Sequence, residues 1–255
     1  MHFHVLGTLE VWDGERLITP SAPKQRSVLA LLLASAGEVI PAEALMEELW
    51  EGNPPASAQT TLQTYVYQLR KLLSRGGEAP ARSPRLVTKH GGYLITLEDG
   101  VLDAVEFEHL VGLAGGHLEA GEVERASGAL RRALGLWHGS ALADVVLGPR
   151  LAIYATRLEE LRLHALKLKV EAQMRMGRYQ ELIGELKQLT ALYQLDEWFH
   201  LQLMEALSRA SRRHEALEVY RSLRHVLRSE LGLEPSVEMQ RLQQAVLTAG
   251  HPGGG

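Results

Sequence analysis

Residues 61–73, TLQTYVYQLRKLL, read as one helix with two unlike faces. At about 100° per residue, Leu62, Val66, Leu69 and Leu73 form one stripe, which needs only a core to bury it. Thr64, Tyr67, Gln68 and Lys71 fall on the opposite side, with hydroxyls, an amide and a cation but no carboxylate. Solvated helix faces commonly interleave both signs of charge, so this face suits something negative.

The flanking segments supply a context. Upstream, PKQRSVLALLLASAG (23–37) reads as a helix with Pro23 at its start and Gly37 at its end. AEALMEELW (42–50) makes a second, short helix stopped by EGNPP, and Ser57 suits the N-cap of the third helix, 57–73. Downstream, a connection rich in Gly, Pro and Ser (SRGGEAPARSP) leads to RLVTKHGGYLIT (85–96), two strands around a Gly-Gly turn. At the start of the chain, FHVLG, LEVW and RLIT are short alternating runs broken by Gly7 and Asp13-Gly14, which predict a three-stranded antiparallel meander. Three helices followed by a hairpin is the order of a winged helix-turn-helix.

From about residue 104 the strand signals vanish. Helical pattern continues with breaks expected at Gly115-Gly116, Gly121, Gly139, Pro149, Gly177 and near Ser211. MGRYQELIGEL (176–186) aligns with ASRRHEALEVY (210–220) at an offset of 34 residues, and AGEVERASGAL (120–130) fits the same template more loosely. That period is the helix–turn–helix period of tetratricopeptide repeats. The expected fold is thus α+β: a winged helix over 1–100, an all-α tetratricopeptide-like domain over 104–250, and a disordered tail over 251–255.

Composition narrows the function classes. The 255 residues are 45% hydrophobic and 23% charged, and they include no cysteine, which excludes disulfides, thiolate metal sites and a cysteine nucleophile. No apolar run approaches the ~18 residues of a membrane span, and the start of the chain lacks the pattern of a secretory signal, so a cytoplasmic protein is expected. His2 and His4 share a strand face without the acids of a metal site, and no H-E-x-x-H or G-x-S-x-G occurs. The glycines of GLAGGHLEAG (112–121) lack the strand and lysine of a phosphate loop and read as an interhelix turn. Neither a cofactor, a metal nor catalysis is expected.

The net charge of −4 conceals an asymmetry. Residues 1–55 carry three cations against eight acids, whereas residues 56–93 carry Arg70, Lys71, Arg75, Arg82, Arg85 and Lys89 against Glu78 alone, a net +5. The positive end coincides with the third helix and the hairpin, the two elements a winged helix presents to DNA. Thr64 and Gln68 can address base edges, Thr60 and Thr61 can donate to phosphate, and Arg70 and Lys71 are suited to phosphate.

These residues carry a family resemblance. PKQRSVLALLLASAGEVIPAEALMEELWEGNPPASAQTTLQTYVYQLRKLL with RLVTKHGGYLI closely resembles the DNA-binding domain of the Streptomyces antibiotic regulatory proteins, whose N-terminus is an OmpR-type winged helix. ALRRALGLWHGSALADV, RLEELRL and the long run ending in LGLEPS look like that family's bacterial transcriptional activation domain. The resemblance covers nearly the whole chain and implies a small two-domain member, without the ATPase module or receiver domain of larger relatives.

By position, it implies DNA contacts at Thr60, Thr61, Thr64, Tyr65, Gln68, Arg70 and Lys71, an indole N–H near phosphate at Trp50, and a wing at Lys89–Tyr93 with Lys89 or His90 approaching the minor groove. Tyr67 and Gln68 occupy positions often basic in the OmpR class, so specificity cannot be copied from those relatives. The loop with Glu51, Asn53, Pro54 and Pro55 corresponds to the segment facing RNA polymerase. The implied activity is activation of a secondary-metabolite (antibiotic) gene cluster. Protomers would lie side by side on direct repeats of double-stranded promoter DNA and recruit RNA polymerase holoenzyme through its sigma and alpha subunits. The alternative is an adaptor whose helical repeats and winged helix both contact protein; exposed Tyr67 is compatible with it, and the salt-sensitive affinity expected of the +5 patch distinguishes the two.

Overall fold

The computed structural model describes residues 1–74, 85–97 and 102–248. Most of the connection, with Arg75, Glu78 and Arg82, and the tail 251–255 lie outside the described residues. The chain divides into two compact units, Met1–Ala114 with Ala129–Ala165, and Gly115–Gly128 with Leu166–Gly255.

The first unit opens with the expected meander. β1 (His2–His4), β2 (Glu10–Asp13) and β3 (Arg16–Leu17) pair antiparallel in that order. Asp13 faces Arg16, so Gly14 and Glu15 form the turn, with Gly14 at φ +58°. α1 (Pro23–Ala34) starts on its proline as expected but stops three residues before Gly37, and every residue from Ser27 to Leu33 is buried. Gly37 instead takes φ +88° and donates its N–H to the Ile95 carbonyl.

A strand that the sequence pattern does not reveal, β4 (Ile40–Pro41), precedes α2 (Ala42–Trp50) and α3 (Ala58–Leu73). It pairs with β6 (Gly92–Thr96), whose other edge carries β5 (Arg85–Lys89). Leu62, Val66, Leu69 and Leu73 of α3 are all at most 2% exposed. Burying each is worth roughly 1.5–3 kcal/mol, the term that makes α3 a helix in this fold.

The turn in the hairpin differs by one residue from expectation. Lys89 pairs with Gly92, so the turn residues are His90 (φ +35°) and Gly91 (φ +79°), both left-handed as a tight hairpin demands. Gly92 belongs to β6 for a separate reason: a Cβ there would stand 2.3 Å from the Ile40 carbonyl oxygen.

This unit does not end at residue 100. Residues 138–146 are stitched to its N-terminus: the N–H groups of His138, Leu142 and Ala143 donate to the carbonyls of Leu6, Val5 and Gly7 at 2.9–3.0 Å. Asp144 accepts from Leu9 N–H (2.8 Å) and pairs with Arg26, and Ser27 Oγ donates to the Val146 carbonyl at 2.8 Å. Asp103, at the start of α4 (Asp103–Glu119), accepts from the N–H groups of Val5 and Leu6. Burial pushes its carboxyl above the usual range, against the pull of these donors.

α4 runs unbroken through Gly115 and Gly116, where a break was expected; only Ala120–Glu122 separate it from α5 (Val123–Gly135). The two glycines cost about 1 kcal/mol each in a helix interior, but the burial of Phe107, Leu110, Ala114 and Leu118 along α4 outweighs that. Pro149 opens α6 (Pro149–Arg175), as its fixed φ favours.

The second unit carries the repeat. α6 ends at Arg175 and α8 (Glu197–Arg209) ends 34 residues later, while α7 (Tyr179–Leu192) and α9 (Arg213–Leu231) start 34 apart. α8 packs between α7 and α9, and α10 (Val237–Thr248) covers α8 and α9. Gly121, Gly177 and Ser211 share one helix-ending geometry. Each has positive φ (+77°, +70°, +61°), and the next residue's N–H reaches back to His117, Gln173 and Leu207, respectively. Arg212 and Lys187 both bind Glu215 and hold its carboxyl down to about 2. No described helix is long and apolar enough to cross a membrane.

Candidate nucleic-acid interface

α3 presents the face its sequence implies. Thr60, Thr64, Tyr67, Gln68 and Lys71 are exposed, with Tyr67 the most so at 65%, while Thr61 and Tyr65 are half-buried. Ser57 stands at the N-cap position, but its side chain makes no capping bond; its carbonyl accepts from Thr61 N–H at 2.9 Å. Thr64 Oγ1 donates to the Thr60 carbonyl at 3.0 Å, which holds its methyl and hydroxyl in one orientation.

Two side chains on this face already have partners. The Gln25 amide, in the first turn of α1, donates to Gln68 Oε1. Arg70 is turned toward the wing: its Nε donates to the Leu86 carbonyl (2.8 Å) and its Nη2 to Thr88 Oγ1 (2.7 Å). A planar guanidinium satisfied in this way by two adjacent acceptors fixes β5 against α3. Lys71 is exposed and has no ion-pair partner among the described residues.

Lys89 and His90 are exposed at the wing tip, where the tight turn projects them. Trp50, at the end of α2, is half-buried with the Lys24 ammonium 4.5 Å from its ring centroid, and Lys24 also donates to the Leu49 carbonyl. The indole N–H of Trp50 has no acceptor among the described residues. Glu51, Asn53, Pro54 and Pro55 are all exposed in the α2–α3 loop, opened by Glu51 (φ +48°) and Gly52 (φ +84°) in left-handed conformation.

The fold therefore brings α3, the first turn of α1 and the wing together. Gln25 and Thr88 are additions to the set read from sequence. Their part depends on contacts 43 and 18 residues apart, which no local pattern encodes. The face presents hydroxyls, amides and cations with no acid on α3, as DNA bases and phosphates require.

The chain is similar to known transcriptional regulators. Residues 18–95 match the transcriptional regulatory protein C-terminal domain, and residues 102–247 match the bacterial transcriptional activator domain. The regulatory protein DnrI of Streptomyces peucetius is 42% identical over 98% of this chain and 93% of its own length. The regulatory protein AfsR of Streptomyces coelicolor is 39% identical over 98% of this chain, which spans about a quarter (24%) of that longer protein. A solved structure of Mycobacterium tuberculosis EmbR, in complex with a low-affinity phosphopeptide, superposes with a TM-score of 0.89 at 31% identity, covering 96% of this chain and 64% of that one. With both halves matched in order and a relative alike from end to end, this chain belongs to the Streptomyces antibiotic regulatory protein family of transcriptional regulators.

Proposed function

We propose that the protein is a sequence-specific DNA-binding activator of a secondary-metabolite, antibiotic-type gene cluster. It binds direct repeats at promoters as side-by-side protomers and recruits RNA polymerase holoenzyme. The observation that carries this reading is the acid-free outer face of α3, joined by Arg70 to a wing that ends in Lys89 and His90. Thr64 and Gln68 read bases; Thr60, Thr61, Lys71 and the Trp50 indole hold phosphates; the wing approaches the minor groove. Tyr65, half-buried on α3, borders the same face. The exposed α2–α3 loop, with Glu51, Asn53, Pro54 and Pro55, meets the polymerase.

Footprinting on the promoters beside its own gene, followed by gel shifts on the protected fragment across a salt series, tests this. Two protected repeats are expected, with affinity falling by a log–log slope of about −0.9 per phosphate neutralised. Gln68→Ala should change base preference at one position of each repeat. Absence of binding even at low salt would favour the adaptor reading.

A further inference from the structure

A carboxamide has two ends of opposite sense: its NH2 donates and its oxygen accepts. On an isolated helix the Gln68 amide could turn either end outward. In this fold Gln25 of α1, 43 residues away in sequence, donates its own amide N–H to Gln68 Oε1. Gln25 is half-buried and Gln68 exposed, so the bond holds the oxygen of Gln68 against α1 and leaves the NH2 outward. That NH2 has no partner among the described residues.

The start of α1 explains this sense. Pro23 opens the helix, Ala22 supplies no side-chain cap, and no acid stands in the first turn. The Arg26 N–H is bonded to the Ala22 carbonyl, while the N–H groups of Lys24 and Gln25 precede the first helical acceptor. A helix end of this kind is positively polarised, so it draws the oxygen of a neighbouring amide and turns the NH2 away. No carboxylate of α3 or of the first turn of α1 competes for that NH2.

Major-groove edges divide by the same two senses. Guanine offers two acceptors, N7 and O6, whereas adenine sets the acceptor N7 beside the donor N6. A glutamine that pairs with adenine uses both ends of its amide at once, the oxygen on N6 and the NH2 on N7. With its oxygen held by Gln25, Gln68 brings N–H donors alone. They match guanine and leave the N6 donor of adenine facing another donor, an arrangement that costs a hydrogen bond.

We propose that Gln25 is a positioning residue that sets Gln68 as a donor, so that the base pair read by Gln68 in each repeat is G·C and not A·T. The inference rests on the DNA-binding reading above and adds the chemical class of base edge that α3 selects.

Gel shifts of the whole chain on the footprinted operator test it, with G·C and A·T exchanged at the position where Gln68→Ala relaxes preference. G·C should be favoured about tenfold, the worth of a matched over a mismatched base contact. Gln25→Lys can only donate and should keep that order. Gln25→Glu can only accept. It takes an N–H of Gln68, turns Oε1 outward beside the remaining N–H, and should move preference toward A·T. Both charge changes act on all sequences alike through the phosphates, so the ratio between base pairs is the readout. Glutamate suits the first turn of a helix, and an unchanged melting temperature shows the fold intact. An A·T preference in the unsubstituted chain, or a base order indifferent to Gln25→Glu, overturns the inference and leaves base reading by Gln68 standing. If Gln68→Ala relaxes no position, base reading by Gln68 falls and the inference falls with it.

Discussion

Arg70 and Lys71 are neighbours in sequence and both cationic, yet their surroundings set them different tasks. Arg70 spends its guanidinium on the Leu86 carbonyl and Thr88, whereas Lys71 has no partner within the described residues. Lysine cannot reproduce a two-acceptor fork, so Arg70→Lys should weaken DNA binding about as much as Arg70→Ala, through a wing that is no longer held. Lys71→Ala should instead weaken binding uniformly across sequences and reduce the salt slope by about one phosphate equivalent. Gel shifts of the three variants over a salt series separate the two roles; rescue of binding by Arg70→Lys would return Arg70 to phosphate contact. Sequence reasoning groups these residues because both lie toward the C-terminal end of a helix. The distinction arises from β5, which folds back from 16 to 18 residues downstream.

At the level of elements, the wing shows how two adjacent glycines serve different ends. Gly91 needs its left-handed φ of +79° and has open space around a Cβ, while Gly92 faces the Ile40 carbonyl at 2.3 Å. Gly91→Ala should cost about 1–2 kcal/mol in local strain. Gly92→Ala should cost more, at the upper end of about 1–3 kcal/mol or above, because backbone must move and β4 must part from β6. Thermal melts give the order directly, and equal costs would show that the β4 pairing is dispensable. α3 was legible from its apolar period, and the C-caps at Gly121, Gly177 and Ser211 from the repeat. β4 was not, because two residues have no period, and its pairing is decided by a strand 52 residues away. The α4 break failed for the opposite reason: local glycine preference was overridden by buried neighbours on either side.

For the whole molecule, the compact units and the two family matches, residues 18–95 and 102–247, divide the chain at different places. The reading of 1–100 as a winged helix rested on the return of strand signals followed by their disappearance. Hydrogen bonds from residues 138–143 to Val5, Leu6 and Gly7, from Leu9 to Asp144, and from Val5 and Leu6 to Asp103, tie later segments into the first unit. Glu48 stays buried only because Arg150 and Leu151 satisfy it. A fragment ending at residue 100 would leave Glu48 and the Val5 and Leu6 amides without these partners, each loss costing about 1–3 kcal/mol when the group remains buried. That fragment should melt well below the whole chain and bind the operator poorly, whereas one ending at residue 165 should retain more of both. Paired melts and gel shifts check this; equal stability of the shorter fragment would show residues 138–151 to be passengers.

The stitching of residues 138–146 onto the first strand also has a consequence in time. A ribosome adds about 5–20 residues per second, so several seconds pass between emergence of the wing and arrival of the segment that completes its unit. During that interval the nascent chain has its reading helix but not the hydrogen-bond partners of its own N-terminus. On the proposed function, competence to hold an operator is expected late in translation, once part of the activating half has been made, and a chain terminated before residue 138 is expected to bind the promoter more weakly than the whole chain.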